Sequence, residues 1–138
     1  IAYASIYGNT KKAAELLYDK LKAKNVDVII TDLARCDMSK AISDAFAYGK
    51  LVLATPTYNA DVFPFMRTFI EGLTERNYQK RTVAFIENGA WAPMAAKVMA
   101  GMFEKSKELN ILDKTVKITC ALNDASVAQI DELAEELA

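Results

Sequence analysis

Ser5-Ile6-Tyr7-Gly8-Asn9-Thr10 lies between a short apolar run, Ile1-Ala2-Tyr3-Ala4, and a segment in which Ala13, Leu16, Leu17 and Leu21 recur at helical spacing. The six residues therefore read as a turn from a strand into a helix, with Thr10 the expected N-cap. Such a turn leaves backbone N–H groups at the helix start unpaired and aimed at one spot, where the positive end of the helix dipole also lies. That spot suits a phosphate. The stretch holds no Lys or Arg, so an anion would be met by amides and by the hydroxyls of Ser5 and Thr10, which favours a monophosphate over a triphosphate. Neither GxGxxG nor GxxxxGK[ST] is present. The same residues also suit an ordinary capped turn, and alone they leave both readings open.

Outward from this turn, residues 26–31 form a β-branched run that reads as a second strand. A short helix is expected over 39–46. Residues 49–54 are almost wholly apolar, as in a strand buried on both faces. Pro64 opens a helix to Glu75 with Phe65, Phe69, Ile70 and Leu73 on one stripe, and 82–86 make a fourth strand. Pro93 sits at the start of a helix expected to reach Asn110, carrying Val98, Met102, Phe103 and Leu109. A fifth strand over 115–120 and a helix over 126–137 complete the chain. Strand and helix alternate five times, which implies an α/β domain with a parallel sheet covered on both faces.

With 138 residues, 52% of them hydrophobic, the chain suits one domain with a substantial core. A net charge of −1 with interspersed signs gives no basic face for nucleic acid and no polybasic membrane patch. No apolar stretch approaches the roughly 20 residues that span a bilayer, and a cytoplasmic protein is expected. Cys36 and Cys120 read as structural thiols, the methionines mostly as core filling. The chain has no histidine, which removes the usual base near neutral pH and the commonest metal ligand. Chemistry is therefore expected to come from a cofactor, with no catalytic side chain and no metal. Because Ile1 already lies in a strand, the domain is expected to be part of a longer chain.

In open parallel sheets a ligand lies beyond the carboxyl ends of the strands, where strand order reverses. The first expected strand ends in the phosphate-type turn, the third in Thr55-Pro56-Thr57-Tyr58-Asn59-Ala60, and the fourth in Glu87-Asn88-Gly89-Ala90-Trp91. A flat heteroaromatic ligand needs an aromatic face and backbone groups that read its edge. Tyr58 and Trp91 offer the faces; Asn59, Asn88 and Gly89 offer the backbone. Asp61 and Glu87 read as solvated loop charges.

Together these three stretches resemble the flavodoxin-like family, across essentially the whole chain. Ser5 to Thr10 is similar to the family's S/T-x-T/Y-G-N-T phosphate loop, Thr55 to Asn59 to its second loop, and Gly89-Ala90-Trp91 stands where the third loop carries its aromatic. The wording Tyr-Gly-Asn-Thr, then Ala-Thr-Pro-Thr-Tyr-Asn with Phe63-Pro64 shortly after, is similar in particular to the flavodoxin domain of flavo-diiron proteins. The resemblance implies a three-layer α/β/α fold with a five-stranded parallel sheet in the order 2-1-3-4-5, and non-covalent FMN. It implies that Ser5, Ile6, Tyr7, Gly8, Asn9 and Thr10 hold the phosphate. Pro56, Thr57, Tyr58, Asn59 and Ala60 would then flank one side of the ring, with Glu87, Asn88, Gly89, Ala90 and Trp91 on the other. Three departures stand out, the first being Ile6 and bulky Tyr7 in a phosphate loop that keeps Gly8 and Thr10. Many relatives read Gly-Ser-Tyr-Gly-Trp in the third loop, whereas Glu87 here brings a carboxylate that would oppose an anionic reduced flavin, and Ala90 narrows the backbone freedom of a glycine.

The implied function is electron transfer through FMN to a redox partner protein or a diiron O2/NO-reducing domain, with homo-oligomerisation left open. A stand-alone flavodoxin would usually be more acidic than −1, which aids steering to basic partners. An NAD(P)H-dependent FMN or quinone reductase needs room over the flavin. A receiver-type phosphoacceptor needs acidic residues where this chain has Ser5-Ile6 and Thr55-Pro56, and a flavin-free interaction module would purify colourless.

Overall fold

Strand order is set by which apolar runs can be buried on both faces, and the central position falls to the longest of them. The computed structural model describes residues 1–5, 8–58, 61–89, 94–119 and 121–138, with all their side chains except those of Tyr58 and Asp61. The elements are β1 (Ala2–Tyr3), α1 (Asn9–Ala23), β2 (Thr31–Asp32), α2 (Met38–Ala47), β3 (Lys50–Tyr58), β4 (Asp61–Val62) and α3 (Pro64–Glu75). They continue with β5 (Thr82–Asn88), α4 (Ala95–Met102), β6 (Asn110–Ile111), β7 (Val116–Ile118) and α5 (Asp124–Leu137).

The sheet runs β2-β1-β3-β5, and beyond β5 come β6 and β7, which pair with its opening and its close. These two short pieces fill one strand position, so the five parallel positions follow the order 2-1-3-4-5. β4 is a short antiparallel addition to the end of β3. β3 and β5 share seven register pairs, from Lys50 with Thr82 to Pro56 with Asn88. Side chains alternate across a strand, so Leu51, Leu53, Val83 and Phe85 face α2, α3 and α4, where they meet Ile42, Phe69, Ile70, Met99 and Phe103. Val52, Ala54, Ala84 and Ile86 face α1 and α5, against Leu17, Leu21, Ile130 and Leu133. Both layers are apolar, so neither face of the centre of the sheet sees water.

Several sequence expectations move. Residues 26–31 do supply Val26, Val28 and Ile30 to the α1/α5 layer, but the ladder with β1 pairs Ala2 with Thr31 and Tyr3 with Asp32, so β2 comes later. The helix expected over 93–110 is confined to Ala95–Met102; Phe103 is its C-cap, still buried, and the chain turns through Glu108 at φ 55 to enter β6. The fifth strand expected over 115–120 is β7, with β6 preceding it. β3 and β5 run beyond 54 and 86, so Thr55 to Tyr58 and Glu87-Asn88 are strand residues rather than loop. α5 begins at Asp124, with Asn123 and Ser126 exchanging reciprocal cap hydrogen bonds. Cys36 is half-buried, its thiol pushed up in pKa by burial; Cys120 lies outside the described residues.

Candidate functional site

Strand order reverses between β1 and β3, and the carboxyl ends of β1, β3 and β5 lie side by side there. The parity of each strand decides where its terminal polar residues point. On the α1 side, α1 begins from Gly8, whose φ of 88 is the left-handed turn that reverses the chain from strand to helix. Thr10 is not the N-cap. It lies one residue inside the helix, 2% exposed, while the capping acceptor is Ser5, whose Oγ receives the N–H groups of Gly8 at 3.1 Å and Lys11 at 3.3 Å. Asn88, at the end of β5 on the same face, donates from Nδ2 to Thr10 Oγ1 at 3.4 Å. The third strand end is thereby tied to the first.

The donor set that remains is specific in character. A hydroxyl has two lone pairs and one hydrogen. Ser5 Oγ has both lone pairs engaged by N–H donors, so outward it can only donate; Thr10 Oγ1 accepts once and keeps its hydrogen as well. The N–H groups of Asn9 and Thr10 have no partner among the described residues, as expected in the first helical turn. Two amides and two hydroxyl hydrogens at a helix N-terminus, without a cation, fit a phosphate monoester.

On the opposite face, Thr57 and Glu87 extend the rows that pack against α4. Thr57 Oγ1 accepts the N–H groups of Met94 at 3.0 Å and Ala95 at 3.2 Å, and Glu87 Oε2 accepts that of Ala96 at 2.8 Å. Met94, the N-cap of α4, makes no side-chain cap bond itself. Glu87 is therefore not the solvated loop charge expected from the sequence: it is 3% exposed and lies where the positive end of α4 accommodates an acidic group. Nothing local in the sequence announces this, because the helix start that Glu87 caps lies nine residues further on.

Ser5, Gly8, Asn9, Thr10, Pro56, Thr57, Glu87, Asn88 and Gly89 are thus gathered at one end of the sheet, Gly89 held there by its N–H to Ile118 O at 3.0 Å. Tyr58 belongs to β3 by its backbone. Ile6, Tyr7, Asn59, Ala60, Ala90 and Trp91 lie outside the described residues, as does Pro93. A separate cavity of about 400 Å3 opens at the other end of the sheet, walled by Val28, Ile29, Tyr48 and Leu51 among others. A cavity of that volume is within the range that holds a small ligand. It lies at the amino ends of the strands, away from the hydroxyls and amides that converge at the carboxyl ends. No helix among the described residues is long and apolar enough to cross a membrane.

A model of the flavodoxin family matches residues 1–134. No match is found among curated proteins. Among solved structures, the fold is similar to rubredoxin oxygen:oxidoreductase from Desulfovibrio gigas, with a TM-score of 0.90 and 19% identity over 97% of this chain and 33% of that one. It is also similar to the flavodiiron protein of Giardia intestinalis, at TM-score 0.90 and 15% identity, covering 99% of this chain and 34% of that one. The flavodoxin of Streptococcus pneumonia TIGR4 gives 0.82 and 23%, covering 99% and 94%. The chain spans about a third of the length of the first two.

Proposed function

This chain belongs to the flavodoxin family, whose members bind FMN non-covalently, and from that premise we propose that it is the electron-transfer domain of a flavodiiron-type protein, delivering electrons to a diiron module. The observation that carries FMN binding is the cation-free set of amides and hydroxyl hydrogens around Ser5 and Thr10. The flavodiiron reading is supported by the Tyr7-Gly8-Asn9-Thr10 and Thr55-Pro56-Thr57-Tyr58-Asn59 wording, by the weak net charge of −1, and by the fit to the two longer chains.

In this reading Ser5, Ile6, Tyr7, Gly8, Asn9 and Thr10 enclose the phosphate. Pro56, Thr57, Tyr58, Asn59 and Ala60 meet one side of the ring, and Glu87, Asn88, Gly89, Ala90 and Trp91 the other. FMN supplies the electron storage and transfer. The protein supplies orientation, hydrogen-bond donors and an environment that sets how readily electrons are taken and released. No side chain is assigned acid, base or nucleophile work.

The test is anaerobic. FMN-loaded domain is photoreduced and mixed in stopped flow with the isolated diiron module of a flavodiiron protein, and in parallel oxidised domain is offered NADH and NADPH. The expected result is rapid reoxidation of the flavin by the diiron module and no nicotinamide oxidation. Steady NAD(P)H consumption would replace the proposal with a reductase.

A further inference from the structure

Helix α4 does not cap itself. The amide hydrogens of its N-cap Met94 and of its first two residues, Ala95 and Ala96, are taken by side chains from two different strands, Thr57 of β3 and Glu87 of β5. Gly89, at the close of β5, is held by its N–H to Ile118 O, and Met94, before α4, by its N–H to Thr57 Oγ1. Resting on the FMN reading above, we propose that Thr57 and Glu87 are positioning residues: an external N-cap on α4 that ties the ends of β3 and β5 to the start of that helix and so fixes the spacing of the two sides of the ring site.

Thr57 has both lone pairs engaged by Met94 and Ala95, so its oxygen cannot also accept from a ligand; its part as an acceptor is wholly structural. Glu87 faces the α4 side, the face opposite to the one on which Asn88 reaches Thr10. The cap therefore acts on the ring end of the site and not on the phosphate end. That separation gives the proposal its signature: loss of the cap weakens FMN and riboflavin by the same factor, since the two ligands differ only in the phosphate.

The variants are Thr57→Val and Glu87→Leu, which remove the acceptors at similar volume, and Thr57→Ser and Glu87→Gln, which keep an acceptor oxygen. Amide hydrogen exchange is measured on the flavin-free domain, and Kd for FMN and riboflavin by fluorescence quenching. Thr57→Val is expected to speed exchange at Met94 and Ala95, and Glu87→Leu at Ala96. Each should weaken both flavins about tenfold, the equivalent of one buried hydrogen bond, while the two conservative variants stay near wild type. Unchanged exchange, a loss confined to FMN, or equal damage from Glu87→Gln and Glu87→Leu would overturn the proposal. Failure of the wild-type domain to bind either flavin would instead overturn the functional reading, and is read separately from the exchange data.

Discussion

Tyr78 carries a phenol into the α2/α3/α4 layer, its ring edge-on to Phe46 at 5.1 Å and near Phe103 at 6.5 Å. Its hydroxyl is buried without a hydrogen-bond partner among the described residues, a cost of about 1–3 kcal/mol. Tyr78→Phe keeps the ring contacts and should raise stability by about 1 kcal/mol in urea unfolding. Burial also pushes the Tyr78 pKa up to about 12. Between pH 10 and 12 the unfolded chain releases a proton that the folded chain still holds, so stability falls as pH rises, by about 1.4 kcal/mol per unit from this group. Tyr78→Phe should flatten that part of the alkaline unfolding profile; an unchanged slope would mean that the phenol ionises in the folded state. At Gly8 an added Cβ meets nothing within 4 Å among the described residues, and the φ of 88 opposes substitution. Gly8→Ala should cost about 1 kcal/mol and Gly8→Asn less, since Asn tolerates the left-handed region. The sequence marked this turn as a helix start but assigned its cap to Thr10. The reach of Ser5 Oγ back to Lys11 depends on the Gly8 turn, which residue type alone does not specify.

Between elements, α3 meets α2 where Gly72 faces Ile42. A Cβ on Gly72 would come within 2.5 Å of Ile42 Cδ1, the tip of a side chain that is trimmed by Ile42→Val. Gly72→Ala alone sets a gain in helix propensity of about 1 kcal/mol against that contact. In the Ile42→Val background the contact is gone and the gain should appear, so the double-mutant cycle should show a favourable coupling of roughly 1 kcal/mol. Additive effects would show that Ile42 yields by a rotamer change without cost. The expected α3, from Pro64 to Glu75, is the observed one because Pro64 fixes its start, but its buried stripe is Met66, Phe69, Ile70 and Leu73, while Phe65, expected on it, is exposed one position round the helix. α4 was less legible. Phe103 and Leu109 keep helical spacing with Val98, yet Phe103 caps the helix and Leu109 precedes β6; burial is satisfied by either geometry, so periodicity could not place the end. The same holds for 26–30, where apolar alternation marks the strand line while the register with β1 decides where pairing begins.

For the molecule as a whole, the alternation of buried strands and amphipathic helices was enough to specify a parallel sheet with two covered faces, because each apolar run has one way to be buried on both sides. The convergence of the candidate strand ends was legible, since reversal of order at the centre brings together whatever terminates β1, β3 and β5. The division of labour within it was not. Thr57 and Glu87 read as ligand contact and solvated charge until the packing of α4 shows what they hold. In the proposed function, the carboxyl end of this sheet binds FMN through a phosphate site built from amides and hydroxyls. That binding is tested most directly by titrating the flavin-free domain with FMN and with riboflavin and following flavin fluorescence. Tight, quenched FMN binding with riboflavin at least tenfold weaker is the predicted result; equal affinity for the two, or binding of neither, would contradict it.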